Sequence, residues 1–169
     1  MPVPPVILNN TPLVALRSIE QLDLLNALFG IVWIPTAVAM EFLATETVVR
    51  RQALVQATWL QIVALTNPRH ALTYSSLDRG EAEVLALAVE HEARLVIIDE
   101  RKGRQYARRL GLPLTGTLGV LLLAKEKGLI TAVAPLIQQM QDSGLYFSLD
   151  LVSKVLSLAG EQFNSRPVS

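Results

Sequence analysis

The stretch LDRGEAEVLALAVEHEARLVIIDERKGRQYARRLG, residues 77–111, constrains the fold more than any other part of the chain. It opens with Asp78 three residues before Glu81, the spacing of a capping box, ahead of an almost wholly apolar helical pattern. The run LVII that follows is apolar at every position and too short for a helix of its own. A strand of that kind is buried on both faces, as happens inside a parallel sheet covered by its crossover helices. A basic helix then closes at Gly111. Helix, buried strand and helix in succession commit the chain to an α/β architecture.

The remaining segments fit the same plan. Residues 3–8 read as a first strand, and Pro12 starts a helical pattern, LVALRSIEQLDLLNALFG, that stops at Gly30. IVWI is a second strand, Pro35 pre-sets the first turn of TAVAMEFLATETVVRRQALVQA as one broken helix or two, and WLQIVAL is a third strand. TNPRHALTYSS reads as a loop, LPLTG as a last short strand and TGTLG as a strand-to-helix turn. Helical patterns punctuated by Gly128 and Gly144 finish the chain before a frayed RPVS. We therefore expect three layers built on a central parallel sheet with right-handed crossovers, and a helical C-terminal extension. With 169 residues, 51% of them hydrophobic, one domain accounts for the whole chain: 1–130 as α/β core, 131–160 as C-terminal helices, 161–169 as tail.

Composition narrows the function. Fifteen basic and fifteen acidic residues cancel, so a nucleic-acid partner would have to be met by a local patch. The densest patch is RKGRQYARR, with Arg101, Lys102, Arg104, Arg108 and Arg109; it reads as a solvated helix face or as a phosphate-binding strip. Arg50 and Arg51 form a weaker one. No cysteine is present, which agrees with a reducing compartment and leaves oxygen, or His70 and His91, to hold any metal. Both histidines read as surface or capping residues. No apolar run reaches the roughly 18 residues of a membrane span. The start MPVPPVILNN lacks the basic region of a signal peptide, so the expected address is the cytoplasm, with no membrane contact. P-loop, GxGxxG and Ser-His-Asp patterns are absent.

Parallel sheets bind ligands outside the carboxyl ends of their strands. Asn9 ends the first expected strand and Asp99 the fourth. Crossover helices begin at that same edge, where Glu81 opens one and Glu41 lies in the second turn of another. Glu41 has Ala37, Val38, Ala44 and Thr45 as helical neighbours, an uncharged face on which a carboxylate needs a partner. Each acid also has a plain structural role open to it. Glu81 completes the capping box, Asp99 caps the following helix, and Glu41 reaches for solvent. If the acids converge in a partly dehydrated cleft they repel one another, and a divalent cation stabilises all of them as anions.

These residues carry a family resemblance. VILNNTPLVAL, IPTAVAMEFL, the block from Leu77 to Ile130 and the closing LAGE together resemble the PIN-like proteins of the DUF3368 group, predicted nucleic-acid-binding relatives of VapC-type toxins. The resemblance covers nearly the whole chain, and residues 77–130 are its most specific part. It implies a PIN-like α/β nuclease fold whose acids bind Mg²⁺ or Mn²⁺ and activate water to cleave an RNA phosphodiester. By position it makes Glu41 the helix glutamate, Glu81 the third acid, with Glu83 as its lesser substitute, and Asp99 the strand-end acid. Relatives read D-T-S-P-L where this chain reads N-N-T-P-L, so the lead aspartate is Asn9. An amide still offers a carbonyl oxygen to a hard cation, but it removes a negative charge and cannot act as a base. The resemblance thus implies a metal-dependent endoribonuclease, the toxin of a toxin–antitoxin pair, or a degenerate PIN domain that binds RNA or a protein without cutting. RNA, an antitoxin protein and a second copy of the chain are its expected partners. Arg101, Lys102, Arg104 and Arg108 would flank the RNA, with Tyr106 as a stacking platform.

Overall fold

The computed structural model describes residues 3–162. Five short parallel strands form its sheet: β1 Val6–Leu8, β2 Val32–Pro35, β3 Leu60–Val63, β4 Leu95–Ile97 and β5 Leu114–Thr115. Their spatial order is β3-β2-β1-β4-β5, with Val6 facing both Val32 and Leu95. β1, central and apolar at every position, is fully buried, as is the heart of β4. The expected α/β class with a parallel sheet is therefore the observed one.

The chain winds outward from β1 in one direction through β2 and β3, then returns to add β4 and β5 on the other side. That reversal creates a switch point between the ends of β1 and β4, where a crevice opens because successive crossovers lie on opposite faces. The crossovers to β2 and β3 contain α1 Asn10–Ser18, α2 Asp23–Phe29, α3 Thr36–Phe42 and α4 Thr47–Gln56. Those to β4 and β5 contain α5 Arg79–Glu90 and α6 Arg101–Arg109. The C-terminal helices α7 Thr117–Glu126, α8 Ala134–Asp142 and α9 Leu149–Leu158 follow, and α7 packs on α1, α2 and α9.

Two expectations need correction. The pattern from Pro12 to Gly30 is two helices, because Glu20 adopts a left-handed conformation (φ 56°). The Glu20 and Gln21 amides bond back to the Arg17 and Leu16 carbonyls, a Schellman ending made without glycine. The segment read as a loop after β3 contains a 3-10 helix, Pro68–Tyr74, opened by the Asn67 side chain accepting from the Arg69 amide. His91 takes the capping alternative open to it: it is the C-cap of α5, half-buried, its ring edge-on to Trp33 at 4.9 Å. The ambiguous segment after Pro35 is two helices, the second entered through Glu46 at φ 47°. The expected fraying of RPVS falls outside the described residues.

Candidate functional site

The site is assembled by four helix starts and two strand ends. Beyond the last β1–β4 pair the Asn9 amide still donates to the Ile97 carbonyl at 3.0 Å, which carries the ladder one residue further and fixes Asn9 at the switch point. Asn9 is 4% exposed. It occupies the N-cap position of α1, yet its side chain makes no capping bond, so the simple capping role is not the one it plays. The next residue, Asn10, lies toward α3, where its side-chain amide acts to lower the Glu41 carboxyl. The Asn10 Oδ1 is left buried without a hydrogen-bond partner.

Glu41 lies on the last turn of α3, exposed as a residue, but its carboxyl leans over the start of α5. A Cβ on Gly80 would stand 3.0 Å from Glu41 Oε2 and 3.5 Å from Asp78 Oδ1, so the glycine leaves the two carboxylates room to approach. Ala37, Met40, Glu41, Asp78, Arg79 and Gly80 line a cleft of about 270 Å³ there. Glu81 is 7% exposed and completes the expected capping box. Its amide donates to Asp78 Oδ1 at 2.8 Å and its Oε2 accepts from the Asp78 amide at 3.3 Å.

The structure thus brings Glu41 and Glu81 together, with Asp78 and Glu100 beside them. Burial, then the charge of Asp78, pushes the Glu41 carboxyl above its ordinary value of 4.5; the Asn10 amide opposes this and Glu100 adds to it. Burial and Asp78 likewise push Glu81 up against the hydrogen bond from the Asp78 backbone, with further contributions from Glu100 and Glu41. Glu100 sits at the N-cap of α6 and accepts from Thr11 Oγ1 at 3.2 Å, tying the starts of α1 and α6 across the crevice. Asp78, Glu100 and Asn10 are the site residues that sequence reasoning missed. The doublet Asp99-Glu100 at a strand end was the available signal, since neighbouring side chains there must diverge.

Asp99 is held by Thr117. Its Oδ1 accepts from the Thr117 amide at 2.8 Å and its Oδ2 from the Thr117 hydroxyl at 2.5 Å, so it faces the start of α7. It does not cap α6; Glu100 holds that position. A Cβ on Gly116 would come within 2.6 Å of Asp99 Oδ1 and 3.2 Å of Arg104 Nη1, which explains the glycine in TGTLG. Glu83, 7% exposed, is turned the other way: it accepts from the Ala37 amide at 3.1 Å and from Arg79 Nε at 3.3 Å.

The basic segment is divided in its tasks. Arg101 and Arg108 are exposed on α6. Lys102 donates to the Ser76 carbonyl at 2.9 Å, and half-buried Arg104 donates to the Ile98 carbonyl at 2.8 Å beside Asp99. Burial and the Arg108 charge lower the Arg104 value, while Asp99 raises it. Tyr106 is taken up by the packing: its hydroxyl meets Ser76 at 2.8 Å, its ring meets Tyr74 edge-on, and Arg109 lies over it at 5.6 Å. Arg50, from the weaker patch, bonds the Phe42 carbonyl and covers the Phe42 ring.

Among the described residues, no three acids or histidines close tightly enough to cage an ion by themselves. The donors at the crevice are all oxygens, however, and the orphaned Asn10 carbonyl beside the repelling glutamates fits a hard cation. Magnesium suits such an edge because it keeps several waters and takes only one or two carboxylates directly.

A doubly wound α/β protein with an acidic crevice at its switch point is the class that fold and site define. Within it, the chain belongs to the DUF3368 family, whose model, a PIN domain, matches residues 5–161. PIN is a fold of nucleic-acid nucleases, and its members generally use divalent metals. No curated protein is detectably similar in sequence. Among the described residues, no helix is long and apolar enough to cross a membrane.

Proposed function

We propose that the protein is a Mg²⁺- or Mn²⁺-dependent endoribonuclease acting on single-stranded RNA, the toxin of a toxin–antitoxin pair working in the cytoplasm as a homodimer. The observation that carries the catalytic reading is the Glu41–Glu81 pair, two acids that burial and the charge of Asp78 hold above their ordinary value at the switch point. Glu41 and Glu81 would hold the ion with the Asn10 carbonyl, and Asp99, oriented by Thr117, would complete the negative field with Asn9 at its base. When bound, the metal supplies an activated water and stabilises charge developing on the phosphate. Exposed Arg101 and Arg108 meet neighbouring phosphates, and Arg104 and Lys102 keep α6 in place to present them.

A second reading, favoured by Asn9, is a PIN domain that binds RNA or a protein partner without cleaving it. One substitution separates the two. Asn9→Asp restores a carboxylate at a position only 4% exposed. We expect it to raise Mg²⁺ affinity, measured by calorimetry, and to raise the rate of cleavage of a mixed panel of single-stranded RNAs. Absence of metal-dependent cleavage from both forms, over the whole panel, would leave the binding reading standing and remove the enzymatic one.

A further inference from the structure

Next to the acidic cleft lies a larger cavity that none of the proposed chemistry uses. It measures about 580 Å³, within the roughly 300–1,000 Å³ of small-ligand sites. Leu65, after β3, together with Ala71, Leu72 and Tyr74 of the 3-10 helix and Leu77 before α5, gives it apolar walls. Arg79 lines both this cavity and the acidic cleft, and Thr36 and Ala37, adjacent in α3, line one each. The two spaces are therefore neighbours along the carboxyl edge of the sheet.

We propose that this cavity seats an unstacked nucleobase of the strand whose phosphate lies at the acidic cleft, with Arg79 as the phosphate-positioning residue between them. The inference rests on the single-stranded RNA reading given above. Several observations converge on it. Leu72 is 71% exposed, an apolar side chain left at the mouth where a flat ring would cover it. Glu83, buried in the wall, holds Arg79 by Nε alone, which orients the guanidinium and leaves its terminal N–H groups for a phosphate. The same carboxylate has lone pairs to spare for the N–H edge that every base carries. Single-stranded RNA is characteristically read by splaying a base out of its stack into such a pocket.

The test is done in EDTA, so that it does not depend on metal or cleavage. Fluorescence anisotropy compares a labelled single-stranded RNA with a strand of equal length that lacks bases. Wild type should bind the RNA about tenfold more tightly than the abasic strand. Ala71→Trp, which fills the cavity, should abolish that difference while leaving abasic binding intact, and Arg79→Ala should weaken both. Should Ala71→Trp not fold, methyl NMR of wild type decides: adenosine 5′-monophosphate should shift Leu65, Leu72 and Leu77, and ribose 5-phosphate should not. Equal binding of the two strands by wild type overturns the proposal, as does a folded Ala71→Trp that retains base preference. Methyl shifts that follow protein dilution and ignore the nucleotide also overturn it, assigning the cavity to a contact between copies. Loss of cleavage with base preference intact would refute the nuclease reading alone.

Discussion

Glu81 and Glu161 are both glutamates set against the start of a helix, and they end in opposite electrostatic states. Glu161, from the closing LAGE, reaches back to α8, where its carboxylate accepts from the Val133 amide at 2.8 Å and the Ala134 amide at 2.9 Å. Lys125 of α7 adds an ammonium at 2.9 Å. Burial would raise this acid, yet the two backbone donors and Lys125 outweigh it and hold the carboxyl below its ordinary value. Among the described residues Glu81 receives no cation, only the Asp78 amide, and has Asp78, Glu100 and Glu41 as neighbours. One carboxylate is satisfied by its surroundings and pins α7 to α8; the other is held at a cost that folding alone does not explain. A buried acid with acidic neighbours and no cation beside it among the described residues is the feature on which the proposed metal site rests.

The largest effect should come from breaking the satisfied member. Glu161→Ala leaves the α8 amides without their acceptor and Lys125 with the Ala159 carbonyl alone, and charge-assisted bonds of this kind contribute about 1.5–3 kcal/mol each. We expect urea denaturation to show a loss of about 3 kcal/mol with an unchanged denaturant slope. A loss below about 1 kcal/mol would mean that the clamp is an exposed contact with little effect on stability.

The opposite response is expected at the crevice. Glu81→Gln keeps an oxygen for the Asp78 amide and removes one of the repelling charges. The metal-free protein should therefore be no less stable than wild type, while Mg²⁺ affinity falls about tenfold or more. Thermal melts with Mg²⁺ and with EDTA read both quantities. Equal stabilisation of wild type and variant by Mg²⁺ would place the ion elsewhere.

Features that depend on neighbours along the chain were legible in the sequence, and those that depend on distant ones were not. The Asp78–Glu81 capping box, the buried α5 and the continuous apolar β4 could be read because spacing and burial are local signals. The carboxyl edge followed from strand alternation, and the structure has Glu41 and Glu81 near one another at the start of α5. The partner of Asp99 was not readable, because Thr117 arrives only after α6 and β5 have folded back to the switch point. The break at Glu20 was hidden for another reason: a non-glycine residue took the left-handed position. The amide facing Glu41 proved to be Asn10 where attention fell on Asn9, a one-residue distinction between cap and first turn that the sequence does not carry.

The comparison has a last, smaller consequence in the dependence of stability on pH. Glu161 is depressed below 4.5 in the fold, so in that acid range the unfolded chain binds more protons, and stability rises as pH climbs toward 4.5. Glu41 and Glu81 are raised above 4.5, so just above that value the folded chain binds more protons, and their contribution falls as pH climbs further. The two groups together predict that metal-free stability peaks near the ordinary carboxylate value and then declines toward neutrality, shallowly because Glu41 is partly solvated. Mg²⁺ should remove the decline by stabilising the ionised glutamates, and the Glu41→Gln, Glu81→Gln double variant should lack it without metal. Denaturation midpoints at half-unit pH steps would measure it. A metal-free decline that persists in the double variant would locate its origin outside the crevice and dissolve the contrast between the two glutamates.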